Sequence, residues 1–355
     1  MNYNSSRYRH FSTFVALAVA LAMELLLFGA MPAKATSPYG SCQTLSRNVA
    51  LGPNGPANQI IVGELCLPNS WATGPHNIDI MVHGATYNRH YWHWPQDPNI
   101  YSQVDKTLQA GRATFIYDRL GSGDSSHPLS TSLSVTTEAY SLHQIIQWLR
   151  HDYPQITVIG HSVGSIVAVR EAGTYNDANR LVVTGLAHLP IAAGTSLPGL
   201  MISVLYSAKF DRQFEDAHFD EGYLTTMPGT RGASFYNTQT ADPNVIDYDE
   251  AHKDVLSFNV LNTAFLDFGT LPLLNVSSDI TLPVLLVIGQ EDGLYCGLLL
   301  DCTNDAAVFA NEAPFYTAAA NLNLETIPDT GHDLTLHPSA GQSHAVINDW
   351  ILSHQ

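Results

Sequence analysis

Basic residues are scarce in this chain. Lys and Arg number 15 against 32 Asp and Glu, a formal charge of −17 with His neutral. So acidic a surface repels phosphate backbones and anionic headgroups, which argues against nucleic acid as a partner. Charge of either sign is sparse at 13% of residues, while 45% are hydrophobic. Both figures argue against disorder and against a charged coiled coil. Cysteine is rarer still: four residues, with no CxxC pair and no His at ligand spacing, so no zinc site is expected. No internal repeat or low-complexity run is present, and beyond residue 31 no apolar stretch reads as a membrane span.

The 355 residues leave room for one large domain or two ordinary ones. The first 35 read as a signal peptide. Arg7 and Arg9 precede an apolar stretch over 11–31, and Ala33-Lys34-Ala35 is an A-x-A cleavage signal. An uncleaved anchor is the alternative, but Glu24 interrupts the stretch. No Cys stands at the cleavage point to take a lipid, so the mature chain, starting at Thr36, is expected to be secreted, extracellular or periplasmic, with no permanent membrane anchor. Export favours disulfides. Of the three possible pairings, Cys42–Cys66 and Cys296–Cys302 are expected, because each pair is close in sequence. Asn275-Val276-Ser277 is a glycosylation sequon, meaningful only in a eukaryotic source.

From residue 57 strands alternate with helices. Apolar runs over 60–67, 78–82, 113–117, 156–159, 181–186, 283–288 and 322–327 read as strands. Helices are expected over 100–110, 134–150, 305–320 and 339–352, with another running from the turn at 160–164 up to Gly173. This alternation implies a mostly parallel, doubly wound α/β sheet with helices on both faces. Residues 189–280 break it, with no clear strand, and read as a mainly helical cap over the carboxyl edge. The core is then 36–188 and 281–355. Within the cap, Tyr206, Phe210 and Phe214 are spaced four apart and would share a helix face, lining an acyl pocket or packing the cap onto the core.

Gly160-His161-Ser162-Val163-Gly164 is a G-x-S-x-G turn. Its glycines let a helix start directly after a strand, with the serine at the tip. The pattern alone arises by chance in a chain this long roughly one time in ten. Here it sits between an expected strand and an expected helix, the context the mechanism demands. A serine hydroxyl needs a base. Among 16 histidines, His332 stands out by following a strand and a turn, just before the last helix. The imidazole needs a carboxylate to fix its tautomer. Asp292 follows the strand at 283–288, with Glu291 the competing carboxylate. Oxyanion donors are expected at the Val163 and Ala85 amides, the latter after His83-Gly84, with the Thr86 hydroxyl assisting.

His83-Gly84-Ala85, the run 118–123, the turn 160–164, Gly289-Gln290-Glu291-Asp292 and Gly331-His332 together resemble the α/β-hydrolase superfamily. They keep the family's order over nearly all of the mature chain. The resemblance implies an α/β-hydrolase fold with an eight-stranded, mostly parallel sheet and a Ser-Asp-His triad. It implies a structural role for 118–123 and says little about substrate. Members with an aspartate nucleophile are disfavoured by Ser162. The expected activity is hydrolysis of small-molecule or lipid-like carboxylic esters through an acyl-enzyme, without metal or organic cofactor. Alternatives are a lactonase, a secreted peptidase or a non-catalytic binding protein of this fold.

Overall fold

The computed structural model describes residues 36–188 and 203–355. Residues 1–35, expected to be a signal peptide, and 189–202, the first part of the expected cap, lie outside the described residues. The expected strands all form. β1 (Thr36–Ser37), β2 (Gly40–Val49), β3 (Gln59–Pro68), β4 (Asn77–Val82), β5 (Ala113–Tyr117), β6 (Gln155–His161), β7 (Arg180–Thr184), β11 (Val284–Gly289) and β12 (Asn323–Ile327) make one sheet, in the order β1-β2-β3-β5-β4-β6-β7-β11-β12. It amounts to eight strands and the two-residue edge strand β1. The strands from β5 to β12 in this order run parallel, whereas β1, β2 and β3 pair antiparallel. β4, β5, β7 and β11 are buried along their whole length. Near-continuous Val, Ile and Leu runs require such burial on both faces.

β2 lies outside the strand pattern read from the sequence. Its Gln43, Thr44, Ser46, Arg47 and Asn48 are polar, as suits a strand near the edge. Cys42 stands directly opposite Cys66 in the β2–β3 register and is bonded to it. The second pair, Cys296–Cys302, is also closed.

The helices include α1 (Pro98–Tyr101), α2 (Gln103–Gln109), α3 (Val135–Leu149), α4 (Val163–Tyr175), α5 (Arg231–Phe235), α6 (Pro243–Ala251), α7 (Phe258–Phe268), α8 (Asp305–Glu312) and α9 (Ala340–Ser353). α3 opens on a capping box, in which Ser134 accepts from the Thr137 amide and the Thr137 hydroxyl accepts from the Ser134 amide. Its Val135, Ala139, Leu142, Ile146 and Leu149 are buried as their spacing predicts. Two expected helices are broken. The one over 100–110 divides at Ser102, whose extended backbone and hydroxyl cap α2. The one over 305–320 stops at Glu312, because Pro314 has no N–H to continue it, and short 3-10 turns follow.

The insertion also departs from expectation. Besides α5, α6 and α7 it contains β8 (Leu205–Ser207), β9 (Tyr223–Thr226) and β10 (Leu256–Ser257), an antiparallel sheet in the order β10-β9-β8. Tyr206, Phe210 and Phe214 do not share a helix face. Tyr206 lies in β8, and Phe210 and Phe214 end separate 3-10 turns, with Asp211 extended between them. The Asp211 carboxylate accepts from the Gln213 amide, the Tyr206 hydroxyl and Lys253. Such local bonds offer the backbone an alternative to helix. Among the described residues, no helix is long and apolar enough to cross a membrane. The Asn275 side chain is buried, donating to the Asp267 carbonyl and accepting from the Ser277 amide, so in the folded chain the sequon is a turn cap.

The disulfide across β2 and β3 closes a sequence separation of 24 residues. Replacing both cysteines by serine is expected to cost about 3 kcal/mol through release of the unfolded chain. Urea denaturation of the double variant measures this, with a native circular-dichroism spectrum at zero denaturant as the control.

Candidate active site

The carboxyl ends of β4, β6, β11 and β12 bring the expected residues into one place. At the end of β6 the chain turns so sharply that Ser162 adopts φ 53° and ψ −122°, a strained conformation for a residue with a side chain. The turn packs against β4. A Cβ on Gly164 would lie 2.3 Å from the Val82 carbonyl oxygen and 2.4 Å from that of His83, so only glycine fits. The Ser162 amide donates to the Thr184 carbonyl (2.9 Å) and its own carbonyl accepts from Ser165 and Ile166. Its hydroxyl makes no capping bond. Val163 opens α4, so its amide has no acceptor within the helix.

The loop after β4 runs alongside. A Cβ on Gly84 would lie 3.1 Å from the Ser162 Cβ, which places the Ala85 backbone next to the serine. His83 holds the loop's shape. Its Nδ1–H donates to the Gly84 carbonyl (2.9 Å) and its Nε2 accepts from the Arg119 amide (3.1 Å). Burial, helped by the nearby Arg119 charge, keeps this imidazole neutral by pushing its pKa well below the usual range. Arg119 also donates to the Gly84 carbonyl and pairs with buried Glu138, so the run 118–123 supports the loop. Thr86 has φ 58°. Its hydroxyl donates to the Ala85 carbonyl and accepts from Arg231, so it is committed within the scaffold.

Asp292 and His332 meet across two other loops. Gly289 allows the approach, since a Cβ there would lie 2.3 Å from the Thr330 and Gly331 carbonyl oxygens. Asp292 Oδ2 lies 2.9 Å from His332 Nδ1. Both side chains are buried. Glu291, the competing carboxylate, is exposed. Asp292 is held in turn by the Leu294 amide on Oδ1 (2.9 Å), and its carbonyl accepts from the Cys296 amide, at the start of the Cys296–Cys302 loop. Burial pulls the His332 pKa down, but the Asp292 charge and hydrogen bond, with Asp333 as the smallest contribution, outweigh it and the result is raised. No hydrogen bond joins the Ser162 hydroxyl to His332 in this structure; the His332 ring lies 4.9 Å from that of His161, the residue before the serine.

Phe210 is 73% exposed. A cavity of about 270 Å³ does lie between the 87–94 segment and the insertion, but Tyr87, Tyr91, Trp94, Tyr248, Asp249 and Lys253 help to line it, and Tyr206, Phe210 and Phe214 do not. Three groups of possible metal ligands occur among the described residues. In one of them, Cys42 and Cys66 are spent on each other. His143, Glu171 and Asp177 form another, and His161, His332 and Asp333 a third.

A buried network beneath the site was not read from the sequence. His161 Nε2 lies 3.0 Å from Asp333 Oδ1. The Tyr87 hydroxyl contacts both Asp333 and Asp249, and Arg231 joins Asp249 to Thr86. These residues belong to different elements and share no sequence motif. Only the adjacency of His161 to Ser162 and of Asp333 to His332 marked the region.

A model of the alpha/beta hydrolase family matches residues 80–341. No curated protein matches at the level of sequence. Solved structures do resemble this one. A carboxyl esterase from Bacillus coagulans is 16% identical with a TM-score of 0.58, over 88% of this chain and 98% of that one. An esterase from Thermogutta terrifontis is 17% identical with a TM-score of 0.56, over 88% and 99%. A monoacylglycerol lipase from Paleococcus ferrophilus is 16% identical with a TM-score of 0.54, over 84% and 100%. At such identities the likeness is one of fold.

His332 should titrate above 6.5, the ordinary value for the side chain. In Asp292→Asn the imidazole keeps its burial and loses its counter-charge, so its pKa should fall from that of the wild type. Glu291→Gln should leave it in place. Histidine proton NMR across a pH titration reads all three.

Proposed function

This chain belongs to the alpha/beta hydrolase family, and from that premise we propose that it is a secreted serine hydrolase cleaving carboxylic esters. The observation that carries this reading is the buried Asp292–His332 pair at 2.9 Å beside the strained turn of Ser162. Ser162 Oγ attacks the ester carbonyl while His332 Nε2 takes its proton. Asp292 holds the Nδ1–H and stabilises the imidazolium that forms. The Val163 and Ala85 amides receive the oxyanion. Collapse breaks the bond to the alkoxy oxygen, which leaves with the proton from His332. Water then attacks the acyl-enzyme, giving its proton to His332, and the acid departs as Ser162 is re-protonated. The esterases and the lipase of similar fold favour an ester over other acyl groups.

Export is part of the proposal. A leader of signal-peptide form and four cysteines joined in two disulfides support an oxidising destination. The part-covered carboxyl edge suits a small or lipid-like ester, and the acidic surface disfavours nucleic acid.

Ser162→Ala should lower kcat/KM for p-nitrophenyl esters by about 10⁴-fold or more with the fold intact. A fluorophosphonate should label Ser162 alone. Labelling elsewhere, or preference for a lactone or a peptide anilide over every ester, overturns the assignment; no turnover of any of them leaves a binding protein.

Phe210→Ala should change neither the melting temperature nor the ratio of kcat/KM between short and long acyl esters, because this ring faces solvent. A chain-length series with thermal unfolding checks both.

A further inference from the structure

Three buried oxygens stand in a row beside the site. Asp333 Oδ2 is 2.5 Å from the Tyr87 hydroxyl, which is 2.9 Å from Asp249 Oδ2. Two hydrogen bonds between three oxygens require two protons, and the phenol brings one. The other sits on a carboxyl. Asp249 Oδ2 also accepts from Arg231 Nε (2.8 Å) and from the Tyr236 hydroxyl (3.0 Å). Three donors converging on one oxygen are accommodated by an ionised carboxylate and not by a protonated one. Asp249 is therefore the anion, paired with Arg231, and the second proton belongs to Asp333.

The far side of Asp333 is compatible with this assignment. Its Oδ1 lies 3.0 Å from His161 Nε2. Burial holds His161 neutral. With its proton on Nε2, His161 donates to a carbonyl-like Oδ1. With its proton on Nδ1, toward Thr184, it needs a proton from Asp333. Only the first tautomer leaves the Asp333 proton on Oδ2, where the Tyr87 contact needs it. Burial pushes the pKa of both Asp333 and Asp249 upward, and the Arg231 guanidinium opposes this most at Asp249, to which it is bonded.

The network reaches the nucleophile, the base and the oxyanion loop of the proposed machinery through chain neighbours. His161 precedes Ser162, Asp333 follows His332, and Arg231 donates to Thr86, which follows Ala85. The charged and titratable groups around Asp333 come from several elements. His161 ends β6. Tyr87 and Tyr91 belong to the 87–94 segment, and Arg231, Tyr236 and Asp249 to the insertion. His332 and His337 stand on its own segment, and Asp292 follows β11. We propose that Asp333 is a positioning residue held as an uncharged carboxylic acid, joining the backbone around nucleophile, base and oxyanion loop without lending its charge to His332. Asp292 is then the one carboxylate that sets the basicity of His332. The roles of Ser162 and His332 rest on the hydrolase reading; the protonation state of Asp333 does not.

An amide reproduces the shape and bonding of a neutral acid, accepting from His161 Nε2–H and donating to the Tyr87 oxygen. Asp333→Asn should therefore keep kcat/KM for a p-nitrophenyl ester within about threefold, with the acid limb of its pH profile unmoved, whereas Asp333→Ala should lose about 10²-fold in kcat at similar KM. Independently of activity, the infrared difference between wild type and Asp333→Asn at neutral pH should show the carbonyl stretch of a protonated carboxylic acid. A carboxylate band in its place overturns the proposal. So does an acid limb that moves to lower pH in the Asn variant, an Asn variant that fails to fold, or an Ala variant as active as wild type. Failure of the ester reading would appear instead as no turnover by wild type, with the infrared result unchanged.

Discussion

Burial of carboxylates without enough cations is the constraint on which the carboxyl edge of this sheet is built. The chain carries twice as many acidic as basic residues, yet Asp249, Asp292 and Asp333 are all buried near one another. An unpaired buried carboxylate is too costly to keep. Each is satisfied differently. Asp249 takes an arginine, Asp292 a histidine and a backbone amide, and Asp333 faces a neutral imidazole and a phenol. The three solutions tie the loops after β4, β11 and β12 to the end of β6 and to helices α5 and α6.

Close packing supplies the second condition. The turn at Ser162 exists because Gly164 lets α4 rest on the carbonyls at the end of β4, and the Asp292 loop reaches His332 because Gly289 lets it lie on residues 330 and 331. A methyl group at either place would push backbone against backbone. The strain at Ser162 is thus maintained by contacts on strands that are themselves wholly buried.

The parts legible in the sequence were those with local signals. Apolar runs marked the sheet, the helical spacing of apolar residues from Val135 to Leu149 marked α3, and the glycine turn marked Ser162. Asp292 and His332 were legible because each follows a strand in an order that the turn made meaningful. Glu291 and Asp292 could be separated only by geometry, since adjacent residues after a strand point to different surroundings. The helix face assigned to Tyr206, Phe210 and Phe214 failed because spacing says nothing of Asp211, whose carboxylate gathers the chain into turns. β2 was hidden by its polar composition. The Tyr87–Asp249–Asp333 network was beyond reach, since its members are separated by 162 and 246 positions.

The pinning of Thr86 bears on how such a protein can diversify. Thr86 holds a left-handed backbone conformation against the Arg231 guanidinium, which also lies 4.2 Å over the Tyr87 ring. The insertion thus lends the loop after β4 a cation, Arg231, that bonds the Thr86 hydroxyl. Its helices α5 and α6 are not an interchangeable accessory. A chain that exchanged them for another ornament would inherit an unsupported loop and a stranded aspartate, so variation can accumulate freely only in those stretches of the insertion that do not touch Arg231.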